Sequence, residues 1–184
     1  MDNRSGWVKG TKCGCVGKAR NWKYADLRMA CDQLLEDAVL AYPIENFGRF
    51  NHDSKLTILA IALALYDAGI AYAKDKKQDI SILGANNCGA LDANLAYFND
   101  YIANGRTLAR GNLFIYTLPS SPLAEAAIHF GLTGKLLYLG FAKNIEGESL
   151  KYALDMLKTQ TSKTIILVNA DSKAATCHIL QKSS

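Results

Sequence analysis

The chain has 184 residues, 49% of them apolar and 21% charged, with only three prolines, a composition that builds one domain with a real core and excludes a disordered chain. Its formal charge of +4 is mild and its lysines and arginines are scattered, which permits an acidic partner but supplies no stripe for nucleic acid. The first residues lack the apolar core of a signal peptide, and the longest apolar run, residues 56–65, falls short of the roughly 20 residues of a bilayer span. A cytoplasmic location without a membrane span is therefore expected. The odd count of five cysteines suits a reducing compartment.

Residues 6–16 alternate loosely and carry Trp7, Val8, Cys13, Cys15 and Val16, which predicts a first strand. Cys13 and Cys15 have no second pair at zinc spacing, so no metal is expected and all five cysteines read as buried or half-buried thiols. Residues 24–39 form a helical or irregular excursion with Leu27, Leu34 and Leu35 as its apolar contacts, closed by Pro43. A helix follows over 54–68, capped by Asp53 or Ser54 and ended by Gly69; being apolar nearly all round, it must be covered on several sides. Residues 79–83 predict a short strand running into a glycine-rich turn over 84–89. The next helix gathers Leu91, Leu95, Phe98 and Ile102 on one face and ends at Gly105.

Ser121 and Pro122 are an N-cap and first-turn pair for a helix to Phe130. Gly131 and Gly134 punctuate before a strand over 136–139. A helix over 146–159 places Leu150, Ala153, Leu154 and Leu157 at the i, i+3, i+4, i+7 spacing. Residues 164–168 read as a buried strand. The turn over 169–173 is too short for a parallel crossover, so the last strand, 174–180, returns antiparallel. The alternation of helices and strands gives an α/β layer with a mostly parallel sheet.

Three stretches, in order, resemble the β-ketoacyl-acyl-carrier-protein synthases of the thiolase-like superfamily. The first is Phe47-Gly48-Arg49-Phe50 and the apolar helix ending in Asp67-Ala68-Gly69. The second runs over 84–98, with Gly89, Leu91, Asp92 and Phe98. The third and most specific covers 112–122 and continues through Ala126-Ala127-Ile128-His129-Phe130-Gly131-Leu132-Thr133-Gly134. The resemblance implies that residues 1–184 form a single ketosynthase N-terminal-like domain. Its implied α/β fold has a five-stranded mixed sheet in the order 3-2-1-4-5, last strand antiparallel, flanked by helices.

Active members of that family carry a cysteine where a strand meets a helix N-terminus, whose dipole and N–H groups favour the thiolate and the oxyanion. Counting back from residues 168–171 puts Lys143 at that place, in Phe141-Ala142-Lys143-Asn144, and neither neighbour is a nucleophile for thioester chemistry. The family's second half, with two histidines that assist decarboxylation, has no counterpart in this sequence, and neither His129 nor His178 matches those motifs. That family packs the helix after the cysteine between its two halves. Here Glu148, Lys151, Asp155 and Lys158 line one side, suited to water, as expected of a half-domain that stands without the other half.

The resemblance thus implies a non-catalytic, chain-length-factor-like protein of fatty-acid, polyketide or aryl-polyene assembly, with no cofactor. Its implied partners are a full-length ketosynthase, an acyl carrier protein, or both. It also implies a homo- or heterodimer through the edge strand Leu136, Leu137, Tyr138, Leu139 and Gly140, an edge that would otherwise invite aggregation. Two alternatives stand beside this reading: acyl transfer by altered chemistry at Lys143 or Cys88, and an acyl-ligand binding module. Cys88 opens a helix from a glycine-rich turn, where a thiol pKa can fall, but no histidine motif accompanies it. The Gly84-to-Gly89 spacing matches a phosphate loop but lacks the Lys-Ser/Thr that follows one. His129 reads as a structural histidine. Cys177 and His178 point to opposite faces of a strand, so they form no dyad.

Overall fold

The computed structural model of the chain describes residues 4–104, 110–159 and 161–182. The expected first strand is a hairpin: β1 (Ser5–Lys9) turns at Gly10, whose φ is 58°, into β2 (Lys12–Cys15), and β3 (Arg20–Lys23) continues the antiparallel meander. Glycine permits that left-handed turn, so the segment folds back instead of running through. The excursion after it is the helix α1 (Leu27–Glu36), capped by the Asp26 carboxylate, which accepts from the Arg28 and Met29 amides.

Helix α2 (His52–Ala68) starts earlier than expected. Its cap is Asn51, not Asp53 or Ser54, because the Asn51 Oδ1 accepts the Ser54 amide at 2.9 Å. Gly69 ends it in the left-handed region, as expected. All of the run from Leu56 to Leu65 is buried. Close approach to β1 makes this possible: a Cβ on Gly6 would stand 2.5 Å from the Ala60 carbonyl oxygen and from the Ala64 amide nitrogen. At the far end the buried Asp67 carboxylate accepts the amides of Ser5 (2.9 Å), Gly17 (2.8 Å) and Lys18 (2.6 Å), tying the meander to α2.

The remaining elements are β4 (Ser81–Asn86), α3 (Leu91–Ala103), the short α4 (Gly111–Ile115), α5 (Ser121–Phe130), β5 (Leu136–Gly140), α6 (Ile145–Lys158), β6 (Thr164–Ala170) and β7 (Ala174–Gln181). Gly84 belongs to β4, not to a turn; it is the close-packing point for Leu123 of α5, so the phosphate-loop spacing has no loop to act through. The cap of α5 is Ser120, with Ser121 and Pro122 inside its first turn. The expected helix end at Gly105 lies outside the described residues; α3 runs to Ala103 with Asn104 as cap.

Seven strands form one mixed sheet in the order β3-β2-β1-β7-β6-β4-β5. This corrects the expected order 3-2-1-4-5, in which the first strand sat at the centre. The tight β6–β7 hairpin forces β7 to lie beside β6, and β4 takes β6's other side in parallel, so β1 is displaced to the outside of β7. The expected antiparallel last strand is observed, since β7 runs against both its neighbours. One core joins the sheet to α1, α2 and α5. A smaller one lies under α6, where Ala153, Met156 and Leu157 meet Leu83, Ile165, Leu167 and Leu180. The buried stripe of α6 is Ser149, Ala153, Met156 and Leu157; Leu150 is exposed, one position off the expected stripe.

Candidate functional site

Edge strand β5 pairs in parallel with β4 from Ile82↔Leu136 to Asn86↔Gly140, and among the described residues no strand takes its other side. Leu136, Leu137, Tyr138 and Leu139 are half-buried and Gly140 is exposed. An edge rich in leucine with open N–H and C=O groups is a template for another chain. Its position is fixed by Asn86, at the end of β4. The Asn86 Oδ1 accepts the Tyr138 hydroxyl and the Cys88 and Gly89 amides, while its Nδ2 donates to the Gly89 and Ala170 carbonyls at 3.1 Å each. One side chain therefore joins three parallel strands to the turn that starts α3.

Helix α3 turns its apolar face outward. Leu91, Leu95, Phe98 and Ile102 do lie on one face, but they are 52%, 50%, 57% and 63% exposed, a continuous outward ridge. Phe114, Ile115 and Leu118 extend the exposed apolar surface through the following segment. The inward side holds Tyr97, which meets the Phe114 ring at 5.4 Å, and the buried Asp100. Asp100 accepts from the Arg110 guanidinium (2.6 and 2.9 Å) and backbone amide (3.2 Å) and from the Asn104 side chain, so α3 is pinned to the start of α4 by polar contacts. These hydrogen bonds, Arg110's first, hold the Asp100 carboxyl below its ordinary range. Apolar ridges of this extent are uncommon on monomers and mark contact surfaces. The helical spacing was legible in the sequence; its direction was not.

Lys143 is exposed in the turn between β5 and α6, next to Asn144, the left-handed cap of α6 (φ 49°, ψ 47°). Glu146 and Glu148 fill the first turn of α6, and Glu146 and Asp171 line the groove of about 210 Å³ between that turn and the β6–β7 hairpin. Carboxylates are favoured at a helix N-terminus, and here they offset the positive field that an oxyanion would need there. Cys88 is the exposed exception among the cysteines. Its thiol pKa is raised by burial first and then by Asp171, Asp92 and Asp53, the reverse of an activated thiolate.

Cys13 and Cys15 face the α2 core, and burial pushes the Cys13 thiol up to about 12. His129 stacks among Tyr42, Tyr72 and Phe130, where burial lowers it to about 4 and keeps it neutral. On β7, Cys177 is buried against the core while His178 points to the other face, as the strand's period requires. A cleft of about 440 Å³ opens between the start of α2, α3 and α4, with Ala93, Ala96, Leu113 and Tyr116 as apolar wall and Asp53 and Asp92 at its rim.

Helices on both faces of a mixed sheet give an α/β fold similar to that of solved ketosynthase structures. No protein-family model and no curated protein matches the chain by sequence. Among solved structures, it is similar to a ketosynthase (ApeO) in complex with its chain length factor (ApeC) from Xenorhabdus doucetiae, with TM-score 0.60 and 12% identity over 79% of this chain and 63% of that one. It is also similar to the ishigamide ketosynthase/chain length factor, with TM-score 0.63 and 10% identity over 73% and 44%. A β-ketoacyl synthase from Burkholderia phymatum STM815 aligns with TM-score 0.61 and 12% identity over 77% and 45%. The chain thus spans between 44% and 63% of the length of these proteins. At such identities the likeness is one of fold.

No helix among the described residues is long and apolar enough to cross a membrane.

Proposed function

We propose that the chain is a non-catalytic, ketosynthase-like accessory subunit, of the chain-length-factor kind, acting beside a complete ketosynthase in fatty-acid, polyketide or aryl-polyene assembly. The observation that carries this reading is the exposed α3 ridge on the same domain as the open β5 edge. A partner of the same fold would extend the sheet at β5 and cover Leu91, Leu95, Phe98 and Ile102. Lys143, which the resemblance puts at the place of the family nucleophile, is exposed and followed by Glu146 and Glu148 in the first turn of α6, which favours a supporting role over acyl transfer. The test is co-expression with complete ketosynthases and acyl carrier proteins of the same genome, followed by affinity purification through this chain. Co-elution with the synthase at equal stoichiometry is expected; recovery of neither protein would refute the reading.

Two alternatives give different outcomes. Acyl transfer at Lys143 or Cys88 predicts a covalent mass increase after incubation with acyl-CoA or acyl carrier protein, lost in Lys143→Ala or Cys88→Ala; we expect no adduct. The 440 Å³ cleft between α2, α3 and α4 favours the acyl-ligand module as the second reading. That reading predicts saturable binding of a fatty acyl probe by the chain alone, without assembly.

A further inference from the structure

The connection between α1 and α2 forms one wall of a groove that the proposed subunit contact leaves unused. Its other walls are one side of α5 and the turn after α2, and its volume is about 180 Å³. Polar contacts hold the connection to those elements. The Tyr42 hydroxyl donates to the His129 carbonyl, the Ala41 amide donates to the Tyr72 hydroxyl at 3.0 Å, and the Lys74 ammonium meets the Glu45 carboxylate at 2.7 Å. The Tyr42, Tyr72 and His129 rings also meet, with centroids 4.6, 5.6 and 6.0 Å apart. The wall is therefore in place before anything enters, and a ligand spends little on ordering it.

The lining combines apolar surface with unequal charge. Tyr42, Ile44 and Phe50 supply the apolar part, and Ile128 beside them is 76% exposed, more than any other large apolar side chain described. The charged groups are Glu45, Glu125 and Lys74, two carboxylates against one ammonium. Lys74 is already taken by Glu45. Among the described residues Glu125 forms no ion pair; its neighbour is the Tyr116 hydroxyl, which leaves its charge unneutralised. His129 adds no positive charge, because burial keeps its ring neutral. Its Nε2 is buried and has no hydrogen-bond partner among the described residues. Buried polar atoms are nearly always paired, so this nitrogen marks a place where a partner is missing.

We infer that this groove binds a small organic monocation, a protonated amine carried on an aromatic ring. The excess of one carboxylate matches one positive charge. An ammonium brings only N–H donors, and carboxylates and a neutral imidazole are the groups that accept them. Tyr42 and Phe50 belong to the side chains that attract a cation to a ring face. A cavity of about 150 Å³ takes a benzene ring, so a groove of about 180 Å³ takes a ring with a short amine arm. An anion would meet two carboxylates, and a zwitterion would need the ammonium that Glu45 already holds. No lining residue lies on α3 or β5, so the inference does not depend on the accessory-subunit reading.

The probe is phenethylamine, titrated into the whole chain with its isoleucine methyl groups labelled for NMR. Phenethyl alcohol and phenylpropionate are its neutral and anionic counterparts. The amine is expected to bind about tenfold more tightly than either, and to shift the Ile44 and Ile128 methyl signals saturably. Glu125→Gln should weaken it about fivefold. Lys74→Gln, which frees the Glu45 carboxylate, should strengthen it about threefold, whereas a zwitterion site would lose affinity. Circular dichroism reports whether Glu125→Gln folds. If it does not, Glu45→Gln takes its place; it leaves Lys74 unopposed and should cost about threefold in affinity. No saturable shift at Ile44 and Ile128, shifts confined to Ile102 and Ile115, equal binding of the alcohol or the carboxylate, or weaker amine binding by Lys74→Gln would overturn the inference.

Discussion

Helices α3 and α6 use the same kind of amphipathic pattern in opposite ways. Helix α6 buries Ala153, Met156 and Leu157 in a small core and turns Glu148, Lys151, Asp155 and Lys158 to water. Helix α3 turns Leu91, Leu95, Phe98 and Ile102 outward and keeps Asp100 inside, paired with Arg110. Burial of apolar surface stabilises α6 on its own chain. The ridge of α3 is left half or more exposed by the described residues, and the proposed partner would cover it. Amphipathic spacing thus defines a face; tertiary packing decides whether that face is covered.

The contrast can be broken at several points. The largest effect is expected for Leu157→Ala, which removes a buried side chain under α6 and should cost about 3 kcal/mol of unfolding free energy in denaturant titration. If the loss were below about 0.5 kcal/mol, α6 would not be held by its apolar stripe. Next is Asp67→Asn, which leaves one of three backbone donors facing an amide N–H and should cost about 2 kcal/mol. Burial alone would raise the Asp67 pKa, but the Ser5, Gly17 and Lys18 amides and the Cys15 thiol outweigh it, and the carboxyl lies below its ordinary value. The contribution of the clamp is therefore complete above the unfolded pKa of about 3.9 and is lost as pH falls through the lower folded value. Both tryptophans, Trp7 and Trp22, sit in the meander that this carboxylate holds, so their fluorescence should report the acid transition, which Asp67→Asn removes.

Smaller changes separate contact from stability. Phe98→Asp is expected to weaken assembly with the ketosynthase about tenfold while leaving the unfolding free energy of the chain within about 0.5 kcal/mol. A loss of stability of the Leu157→Ala kind would make the α3 ridge a core after all. Lys151→Ala, on the watery side of α6, should change neither quantity by more than about 0.5 kcal/mol.

Much of the fold was legible in the sequence. The all-round apolar pattern of α2, its glycine end and the antiparallel return of β7 follow from local chemistry and came out as expected. Strand order did not, because it depends on which neighbour β6 accepts, a pairing of residues about 80 positions apart, Ser81 with Ile165 among them. The cap of α2, Asn51, lies two residues before Asp53, and that of α5, Ser120, one residue before Ser121. The candidate site was legible only in part. The β5 strand could be read from its local pattern, whereas the joining role of Asn86, the Asp67 clamp and the outward turn of α3 arise from tertiary contacts that no local pattern encodes.

The central claim is that the α3 and β5 side of the domain, and not the α6 side, is made for another subunit. Hydrogen–deuterium exchange of the chain alone and bound to the complete ketosynthase tests it directly. Slower exchange over residues 91–103 and 136–140, with residues 145–158 unchanged, is the expected result. Protection over 145–158 with 91–103 and 136–140 unchanged would contradict it.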